Sequence, residues 1–440
     1  MKKRLVSMLL CLTMATATGC GSTKAETAAG NSAQPEASSA ASSPAGSTQS
    51  AKADAKPVTI EFWTIDLKAS FADYFNNLIA EYEKENPNVT VNWTDVPYDD
   101  VKSKLVTATA GGQAPDVVNL NTQIALTLAG QDALVDLNQA ATADQKSIYI
   151  QDLWNSAKIG DKAYAFPWYA SPDIMVYNSD LLSKAGMTST PATYDDALAQ
   201  AEKFHSATGA YLFVPDEFFN MLIDDNIPIL SEDGKKAAFN TKEAADMLNK
   251  YKKYTDAGIL PKNNWGKWDE SLKLIESGKL GMLNSSGSSI SRIKDEAPDI
   301  YKVTKVAMPL VGSAGYSRNP LMNLVVPSAS KNQNDAISFA SYVTNDANQL
   351  AFCKLVSIFP STTKASQDPY FTSDTSTLEG QASAMSSKAS EKSRDFSLGV
   401  ANQDNIQTAI NKAYEAVIIN GEDTQKALDQ AEADVNKLLQ

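Results

Sequence analysis

The chain has 440 residues, of which 43% are hydrophobic, and its 39 basic and 52 acidic side chains give a formal net charge of −13. Such acidity disfavours docking on nucleic acid or anionic lipid, because both repel a negative surface. Three cysteines and one histidine supply neither a disulfide-rich scaffold nor a conventional zinc site, so we expect no metal and no cofactor.

The first twenty residues have the layout of an export signal. Three cations, Lys2, Lys3 and Arg4, precede an apolar stretch over residues 5–17. This stretch is too short for a permanent membrane-spanning helix. We therefore predict that residues 1–19 are a signal peptide and that the mature chain is secreted.

The end of the signal resembles a bacterial lipobox, in which cleavage leaves an N-terminal cysteine that carries lipid. Cys20 would be that residue, although Ala17 stands where the lipobox usually has leucine. The alternative is an ordinary signal peptide and a protein that is secreted but free. Residues 20–56 lack aromatic side chains and apolar periodicity, so they predict a disordered tether. A lipid anchor followed by a long tether is more typical of a bacterium without an outer membrane, so we expect the protein to come from such a cell.

The first part of the globular region predicts alternating strands and helices. An alternating strand over 58–63 is followed by a helix over 71–82, a strand over 89–93, a helix over 98–110 and a buried strand over 115–118. This order is typical of a parallel α/β sheet.

The pattern continues with different lengths in the rest of the chain. Helices are predicted at 178–186, at 193–206 with Thr193 as N-cap, at 241–256 with Asn240 or Thr241 as N-cap, and at 334–343. Short apolar segments near 210–214, 280–284, 303–307 and 321–326 predict strands. The tail over 379–440 is mostly helical in pattern.

Two single residues have structural rather than chemical predictions. Cys353 lies in an apolar run and is expected to be a buried small hydrophobe, without a partner for a disulfide in the mature globular region. His205, the sole histidine, lies near a predicted helix end and is expected at the surface.

Eight segments in consistent order resemble family 1 extracellular solute-binding proteins of ABC importers, the group that includes maltose-type sugar-binding proteins. The most specific segment is Val176-Tyr177-Asn178-Ser179-Asp180-Leu181-Leu182, followed by Ala185-Gly186. The others are Ile60-Glu61-Phe62-Trp63, Ala114-Pro115-Asp116-Val117-Val118, Ala133-Leu134-Val135-Asp136-Leu137, Pro191-Ala192-Thr193-Tyr194-Asp195-Asp196-Ala197, Gly278-Lys279-Leu280-Gly281-Met282, Met308-Pro309-Leu310 and Pro327-Ser328-Ala329-Ser330-Lys331.

The resemblance implies a two-lobed periplasmic-binding-protein-like α/β fold of class II, each lobe a mixed, mainly parallel sheet flanked by helices. The expected N-lobe comprises 57–170 and 323–366, and the expected C-lobe 171–322 and 367–440. Such proteins close like a hinge on a ligand and are then read by a membrane permease. The resemblance thus implies a monomeric carbohydrate-binding lipoprotein, most simply an oligosaccharide binder, that catalyses no reaction.

A sugar presents an apolar face and a rim of hydroxyls, so its site needs aromatic rings and short polar groups. The aromatic candidates are Trp63, Trp168, Tyr169, Trp265 and Trp268. Packing in the lobe core is the alternative for Trp63, and packing in the hinge is the alternative for Trp168 and Tyr169.

The family often has a ligand-contacting tryptophan where this chain has Ser288, which shifts the expectation for the C-lobe to Trp265 or Trp268. The acidic helix start at 216–219 is a weaker candidate for ligand contact.

The polar candidates lie at predicted strand ends and chain crossings, where side chains face the crevice. They are Thr64, Asp66, Asn121, Ser286, Arg318 and Asn319. Asn121 could instead cap the helix that begins near residue 123. Arg318 could instead bond backbone carbonyls at the hinge.

Two other function classes stay open at this point. A secreted glycoside hydrolase would need two carboxylates at a set separation, and the 52 acidic residues include no pair that the sequence singles out. A binder of the same fold for a polyamine or another non-sugar solute would also suit the acidity.

Overall fold

The computed structural model describes residues 56–97 and 100–440. The predicted signal peptide, Cys20 and nearly all of the predicted tether lie outside these residues. Among the residues that the structure describes, no helix is both long enough and apolar enough to cross a membrane.

Strands and helices alternate along most of the chain. The strands are β1 (Val58–Ile65), β2 (Val89–Val96), β3 (Val117–Asn121), β4 (Lys158–Ile159), β5 (Lys162–Ala163), β6 (Phe166–Ala170), β7 (Ile174–Asn178), β8 (Met282–Ser285), β9 (Thr304–Ala307), β10 (Ser317–Arg318), β11 (Leu321–Val325), β12 (Phe359–Pro360) and β13 (Ser393–Arg394).

The first ten helices are α1 (Lys68–Glu85), α2 (Val101–Ala110), α3 (Thr122–Ala129), α4 (Leu137–Ala140), α5 (Ala143–Ser147), α6 (Gln151–Ser156), α7 (Ser179–Lys184), α8 (Tyr194–Thr208), α9 (Phe218–Asp224) and α10 (Lys242–Asp256). The remaining helices are α11 (Trp268–Glu276), α12 (Ser288–Glu296), α13 (Pro298–Val303), α14 (Gln333–Val343), α15 (Asp346–Cys353), α16 (Thr363–Ser366), α17 (Tyr370–Ser373), α18 (Leu378–Ser390), α19 (Gln403–Tyr414) and α20 (Thr424–Leu438), with a π-helix over Glu415–Ile419 between the last two.

The larger sheet has six strands in the order β12-β6-β11-β3-β1-β2. Strand β1 is parallel to both of its neighbours, whereas β11 returns from a distant part of the chain and pairs antiparallel with β3 and β6. On β1, Ile60 and Phe62 are fully buried and alternate with less buried residues, as a strand with two unlike faces requires. The carboxyl ends of β1 and β3 therefore meet at one edge of the sheet.

The smaller sheet has the order β8-β7-β9, and both of its strand pairs are antiparallel. The chain leaves β6, turns through residues 171–173 and starts β7 at that crossing. Strands β8 and β9 run back towards the same crossing, since Ile174 pairs with Ser285 and Met175 with Ala307. The predicted α/β architecture with mixed sheets is confirmed, but neither of these sheets is mainly parallel. The larger sheet has two parallel and three antiparallel strand pairs, and both pairs of the smaller sheet are antiparallel.

The hydrophobic cores divide into two sets that share no residue. One set packs on the larger sheet and includes Phe62, Phe75 and Phe339. The other packs on the smaller sheet and includes Phe204 and Phe213. We call the two bodies that surround these cores the first lobe and the second lobe. Their separate cores allow each lobe to move as a unit about the segments that join them.

Most of the predicted elements are present with shifted ends. The first helix extends beyond its predicted 71–82 to Lys68–Glu85, and Thr193 and Thr241 are N-caps whose hydroxyls accept from Asp196 N at 3.1 Å and Ala244 N at 3.3 Å. The strand predicted near 210–214 is reduced to a bridge between Tyr211 and Leu280.

The structural predictions for the two single residues have different outcomes. Cys353 is buried, as predicted. His205 is half-buried rather than at the surface, because its ring stacks on Tyr211 and its Nδ1 lies 3.0 Å from the carbonyl oxygen of Ala210.

Candidate functional site

A cavity of about 730 Å³ lies between the two lobes. Its walls are rich in amides and charged groups and contain few aromatic rings. The lining residues are Lys102, Asn121, Gln123, Ile124, Ser171, Glu217, Phe219, Asn220, Arg318, Pro320, Leu321, Met322, Asp395, Phe396, Asp404, Gln407, Thr408 and Asn411. The volume is within the range of roughly 300–1,000 Å³ that is typical of small-molecule sites.

The first lobe contributes the edge where β3 ends and α3 begins. Asn121 is the N-cap of α3, and its Oδ1 accepts a hydrogen bond from Ile124 N at 2.8 Å. The predicted alternative for Asn121, a helix cap, is therefore correct, and the residue lines the cavity as well. Gln123 follows it on the first turn of the helix. The strand end thus brings two amide side chains to the cavity.

The second lobe contributes a carboxylate held by two amides. Glu217 precedes α9, and its Oε2 accepts hydrogen bonds from Gln407 Nε2 at 2.5 Å and from Asn411 Nδ2 at 2.8 Å. Gln407 and Asn411 are one turn apart on α19, so they face the same side. Asn411 Oδ1 also accepts from Phe219 N at 2.9 Å, which fixes the start of α9 against α19.

Asp395 reaches from the second lobe's side of the cavity to the first lobe. It follows β13, which pairs in parallel with β10 at the crossing. Its Oδ2 accepts a hydrogen bond from Thr122 Oγ1 at 2.8 Å, and its Oδ1 is closed off from solvent. Burial raises the pKa of Asp395 to about 6. Hydrogen bonds from Thr122 and Leu321 and the charge of Arg318 lower the pKa and so oppose this shift.

Arg318 is the charged residue at the crossing between the lobes. Its Nε lies 3.7 Å from Asp173 Oδ2, and its Nη1 lies 4.0 Å from Asp216 Oδ2. The charge of Asp216, followed by that of Asp173, raises the pKa of Arg318. Burial raises the pKa of Asp173 to about 6, although Arg318 opposes the shift. These contacts join Arg318 to the carboxylates of other side chains, so they differ from the predicted alternative, in which Arg318 binds backbone carbonyls.

A smaller pocket of about 50 Å³ adjoins the cavity, because Arg318 lines both. Trp268 lines this pocket, and 40% of its surface is exposed. Its indole N–H donates to Ser285 Oγ at 2.8 Å, and the guanidinium of Arg292 lies 5.4 Å from the ring centroid. Among the predicted aromatic residues, Trp268 is the one that lines either of these two pockets.

Two predicted tryptophans lie in the lobe cores. Trp168 is 1% exposed and stacks on Phe352 with a centroid separation of 5.6 Å. Trp265 is 3% exposed, stacks on Tyr414 at 4.5 Å and donates to the carbonyl oxygen of Pro261 at 3.0 Å. This burial corrects the prediction that the two rings stack on a ligand. Tyr169 is half-buried in the same cluster as Trp168, which fits the packing alternative.

The residues predicted around the end of β1 lie outside the cavity lining. Trp63 is half-buried against the first-lobe core. Thr64 is fully buried and bonds Asp95 Oδ1 at 2.6 Å while accepting from Trp93 Nε1 at 2.7 Å. Asp66 is exposed in a left-handed backbone conformation. The core alternative for Trp63 therefore fits the structure better than a ligand contact.

Two other predicted residues also lie outside the lining. Ser286 Oγ is hydrogen-bonded to Ser288 Oγ at 2.6 Å, and Ser288, which replaces the family's tryptophan, is the first residue of α12. Asn319 is buried beside the crossing, and its backbone N–H donates to Arg394 at 2.8 Å. The structure thus brings Asn121, Arg318 and, from the weaker candidate segment 216–219, Glu217 and Phe219 to the main cavity, and Trp268 and Asp216 to the pocket beside it.

The contribution of α19 to the cavity was not predicted from the sequence. This helix carries Gln407 and Asn411 four residues apart, with the buried Ile406 and Ile410 also four residues apart on another face. A face of amides opposite an apolar face would have indicated a helix that lines a polar cavity. Asp395 follows a two-residue strand and has no such pattern around it, so its position could be found only from the fold.

Direct contacts join the lobes beside the cavity. Lys102 Nζ on α2 donates to Asp404 Oδ2 on α19 at 2.9 Å, and Thr127 Oγ1 on α3 donates to Asp404 Oδ1 at 3.1 Å. Ser397 Oγ donates to the carbonyl oxygen of Ser156 at 2.6 Å. These bonds connect groups of different lobes and would have to break if the lobes separated.

The chain is similar to several known binding proteins. It is 26% identical to a putative binding protein from Brucella abortus over 261 residues, which cover 57% of this chain and 63% of that relative. The alignment thus spans less than two thirds of that relative's length. It is 22% identical over 393 residues to the diacetylchitobiose binding protein DasA from Streptomyces coelicolor, covering 87% of this chain and 90% of DasA.

A solved structure supports the two-lobed architecture. The crystal structure of a putative oligosaccharide periplasmic-binding protein from Synechococcus superposes with a TM-score of 0.79 at 26% identity, covering 86% of this chain and 98% of that chain. The predicted two-lobed, periplasmic-binding-protein-like fold is confirmed by this likeness. The family described as bacterial extracellular solute-binding protein matches residues 77–378. Because that match covers more than half of the 440 residues, this chain belongs to the bacterial extracellular solute-binding protein family.

Proposed function

We propose that this protein captures a carbohydrate of oligosaccharide size between its lobes and delivers it to the permease of an ABC importer. The observation that carries the proposal is the cavity of about 730 Å³ whose polar side chains come from both lobes. The names of DasA and of the Synechococcus protein, which refer to diacetylchitobiose and to an oligosaccharide, support the ligand class. The proposal that a permease is the partner rests on the resemblance to solute-binding proteins of ABC importers.

The chemistry of the cavity suits hydroxyl groups. An amide side chain such as that of Gln123 offers both donors and an acceptor, and so can bond a pair of sugar hydroxyls. Glu217 offers acceptors on the opposite wall. Trp268, beside Arg318, is the aromatic surface on which the apolar face of a terminal sugar ring would pack.

Closure would couple binding to recognition by the permease. A ligand held by Asn121 on the first lobe and by Glu217 on the second has more contacts in the closed form than in an open one. It therefore shifts the equilibrium towards closure by its difference in affinity for the two forms. Lys102 and Asp404 would re-form their ion pair in each cycle.

We also propose that the protein releases its ligand unchanged. The family to which the chain belongs consists of solute-binding proteins. The buried acids Asp173 and Asp224 lie around Arg318, which gives them a role in the charge balance of the cavity without a catalytic one. Chromatography of oligosaccharides after long incubation with the protein tests this, because new shorter products would contradict it.

The proposed location is the outer face of the cell membrane, with the protein held as a monomer by lipid on Cys20. Cys20 lies outside the described residues, so this part rests on the sequence pattern. Mass spectrometry of the protein from its native membrane is expected to find a lipid-modified N-terminal cysteine. A Cys20→Ser variant released into the medium would agree with it, and an unmodified wild-type cysteine would contradict it.

We propose the lobe boundaries predicted from the sequence, 57–170 with 323–366 and 171–322 with 367–440, except that the last boundary moves from residue 366 to the segment between α17 and α18. Phe371 bears on the last boundary, because it packs with Cys353 and Phe359 of the first lobe although it lies beyond residue 366. The crossing would then lie between α17 and α18. Limited proteolysis is expected to cut first at this connection.

Calorimetric titration against mono- and oligosaccharides tests the function directly. At least one oligosaccharide is expected to bind, and to raise the melting temperature, because a ligand specific for the folded state stabilises it. The variant Asn411→Ala is expected to weaken binding at least tenfold. The control Asn405→Ala, an exposed residue on the same helix outside the cavity lining, is expected to bind normally. Binding of spermidine with no binding of any saccharide would overturn the proposal.

A further inference from the structure

Trp268 is held by two different elements of the second lobe. It is the first residue of α11, and its indole N–H donates at 2.8 Å to the hydroxyl of Ser285, the last residue of β8. Ser285 is buried, so this bond anchors one edge of the ring to the smaller sheet. The guanidinium of Arg292 on α12 lies 5.4 Å from the ring centroid, within the range of a cation–π contact.

Three carboxylates hold Arg292 beside the ring. Its Nη1 donates to Asp269, the residue that follows Trp268. Its Nε lies 3.2 Å from Glu276 Oε1 and 3.3 Å from Glu296 Oε1. Two of these acids belong to α11 and the third to α12, so the ion pairs join the two helices. The guanidinium is therefore held in place by contacts other than the indole, and only 22% of the arginine side chain is exposed.

The indole has a part that Arg292 does not cover. Trp268 lines the pocket that adjoins the main cavity through Arg318, whereas Arg292 lines neither the pocket nor the cavity. Although the guanidinium lies against the ring, 40% of Trp268 stays exposed. The arginine thus supports one part of the ring and leaves another part open towards the pocket.

We propose that Arg292 is a positioning residue for ligand binding, which holds the indole of Trp268 so that its open part packs against a sugar ring. The inference rests on the proposed function and adds a residue that does not itself contact the ligand. An aromatic side chain that is already fixed loses less conformational freedom when a ligand binds. Arginine suits this role because its planar guanidinium can stack on a ring while it donates to carboxylates.

The first test measures the ring itself in the protein without ligand. The chain has six tryptophans, so the emission of Trp268 is taken as the difference between each protein and the same protein with Trp268→Ala. In Arg292→Ala, quenching of this emission by acrylamide is expected to increase and its anisotropy to fall, because the ring is uncovered and freer to move.

Lys294→Ala is the matched control on the same helix. The ammonium of Lys294 lies 5.4 Å from the ring centroid of Tyr301 and 2.7 Å from Glu379 Oε1. Its removal therefore deletes an equivalent pair of contacts away from Trp268. The Trp268 emission of this variant is expected to match the wild type.

The second test is calorimetric titration with a saccharide panel that includes maltotriose and N,N′-diacetylchitobiose. Arg292→Ala is expected to weaken binding about fivefold, as for the loss of one exposed cation–π contact. In the Trp268→Ala background the same change is expected to leave the affinity unchanged, because the arginine acts through the ring.

Arg292→Lys keeps the positive charge among the three carboxylates and serves if Arg292→Ala does not fold. An ammonium keeps the attraction to the ring but cannot stack on it as a plane. Quenching and affinity are therefore expected to lie between those of the wild type and those of Arg292→Ala, and to differ from the wild type in the same direction.

The outcomes separate this inference from the proposed function. If the Arg292 variants bind saccharides as tightly as the wild type, the positioning role is wrong while carbohydrate capture stands. If Arg292→Ala weakens binding equally with and without Trp268, the arginine does not act through the ring and the proposal is wrong. If the wild type binds no saccharide of the panel, both this inference and the proposed function are overturned.

Discussion

Asp404 on α19 accepts hydrogen bonds from two residues of the first lobe, Lys102 on α2 at 2.9 Å and Thr127 on α3 at 3.1 Å. The carboxylate therefore bridges two helices of one lobe to a helix of the other. The side chains of Lys102 and Asp404 are 41% and 33% exposed, so water competes with the ion pair. A weak contact in this position can hold the lobes together without preventing their separation.

The first prediction concerns this bridge. Lys102→Ala is expected to favour the open form by about 0.2–1 kcal/mol, the usual value of a partly exposed ion pair. Small-angle scattering of the ligand-free protein should then give a larger radius of gyration than the wild type. Lys104→Ala is the matched control, because Lys104 pairs with Asp100 at 3.2 Å within its own part of the first lobe. An identical change in both variants would contradict a specific role for Lys102.

The second prediction uses two tryptophans three residues apart. Trp265→Ala is expected to destabilise the protein by about 3–5 kcal/mol, because it removes a buried ring that stacks on Tyr414. Trp268→Ala is expected to cost far less stability, since Trp268 is 40% exposed, and to weaken ligand binding instead. Chemical denaturation and calorimetric titration of both variants measure the two effects. Equal stability losses would contradict the assignment.

These two tryptophans also illustrate how far sequence reasoning reaches. Local patterns were sufficient for α8, where Thr193 caps the helix and the buried Ala197, Ala201 and Phe204 recur at helical spacing. The tryptophans stand in one polar segment, and nothing local distinguishes them. What separates them is Tyr414, which lies about 150 residues further along the chain and covers Trp265 alone.

The site was less predictable than the fold for the same reason. Asn121 and Arg318 could be proposed because they lie at a strand end and at a lobe crossing, and both line the cavity. The residues Gln407 and Asn411 reach the same cavity only because α19 packs against the start of α9. Such long-range packing has no signature at the residues themselves, so the missing wall of the site emerged only with the fold.

The third prediction concerns stability against pH. Asp173 is buried, and its pKa is raised to about 6 from an ordinary value near 4. The folded state therefore binds more protons than the unfolded state between about pH 4 and pH 6, and this residue's contribution to stability falls as pH rises through that interval. The loss amounts to at most about 3 kcal/mol for a shift of about two pKa units.

Asp173→Asn removes this titration and tests its sign. The stability of the wild type relative to the variant is expected to decrease from pH 4 to pH 6 and then to stay constant. Denaturant melts across pH 4–8 measure the difference, and Asp161→Asn at an exposed position should run parallel to the wild type. A relative stability that increases with pH would show that the ion pair with Arg318 outweighs burial.

The fourth prediction concerns Gly266, which supports Glu217 in the cavity wall. Gly266 has a φ of +63°, and an added Cβ would overlap Glu217 Cγ and lie 3.0 Å from its Cδ. Gly266→Ala should therefore displace Glu217 from its bonds to Gln407 and Asn411, and we expect at least a tenfold loss of ligand affinity.

Gly258→Ala is the matched control for that variant. Gly258 has a φ of +73°, and nothing lies within 4 Å of an added Cβ. Both variants therefore have the backbone penalty of about 1–2 kcal/mol for alanine in a left-handed conformation. Only Gly266→Ala adds the collision with Glu217. Comparing affinity and unfolding free energy in both variants separates the two effects. If the two variants lose affinity equally, backbone strain alone accounts for the loss, and Glu217 has no special role in holding the ligand.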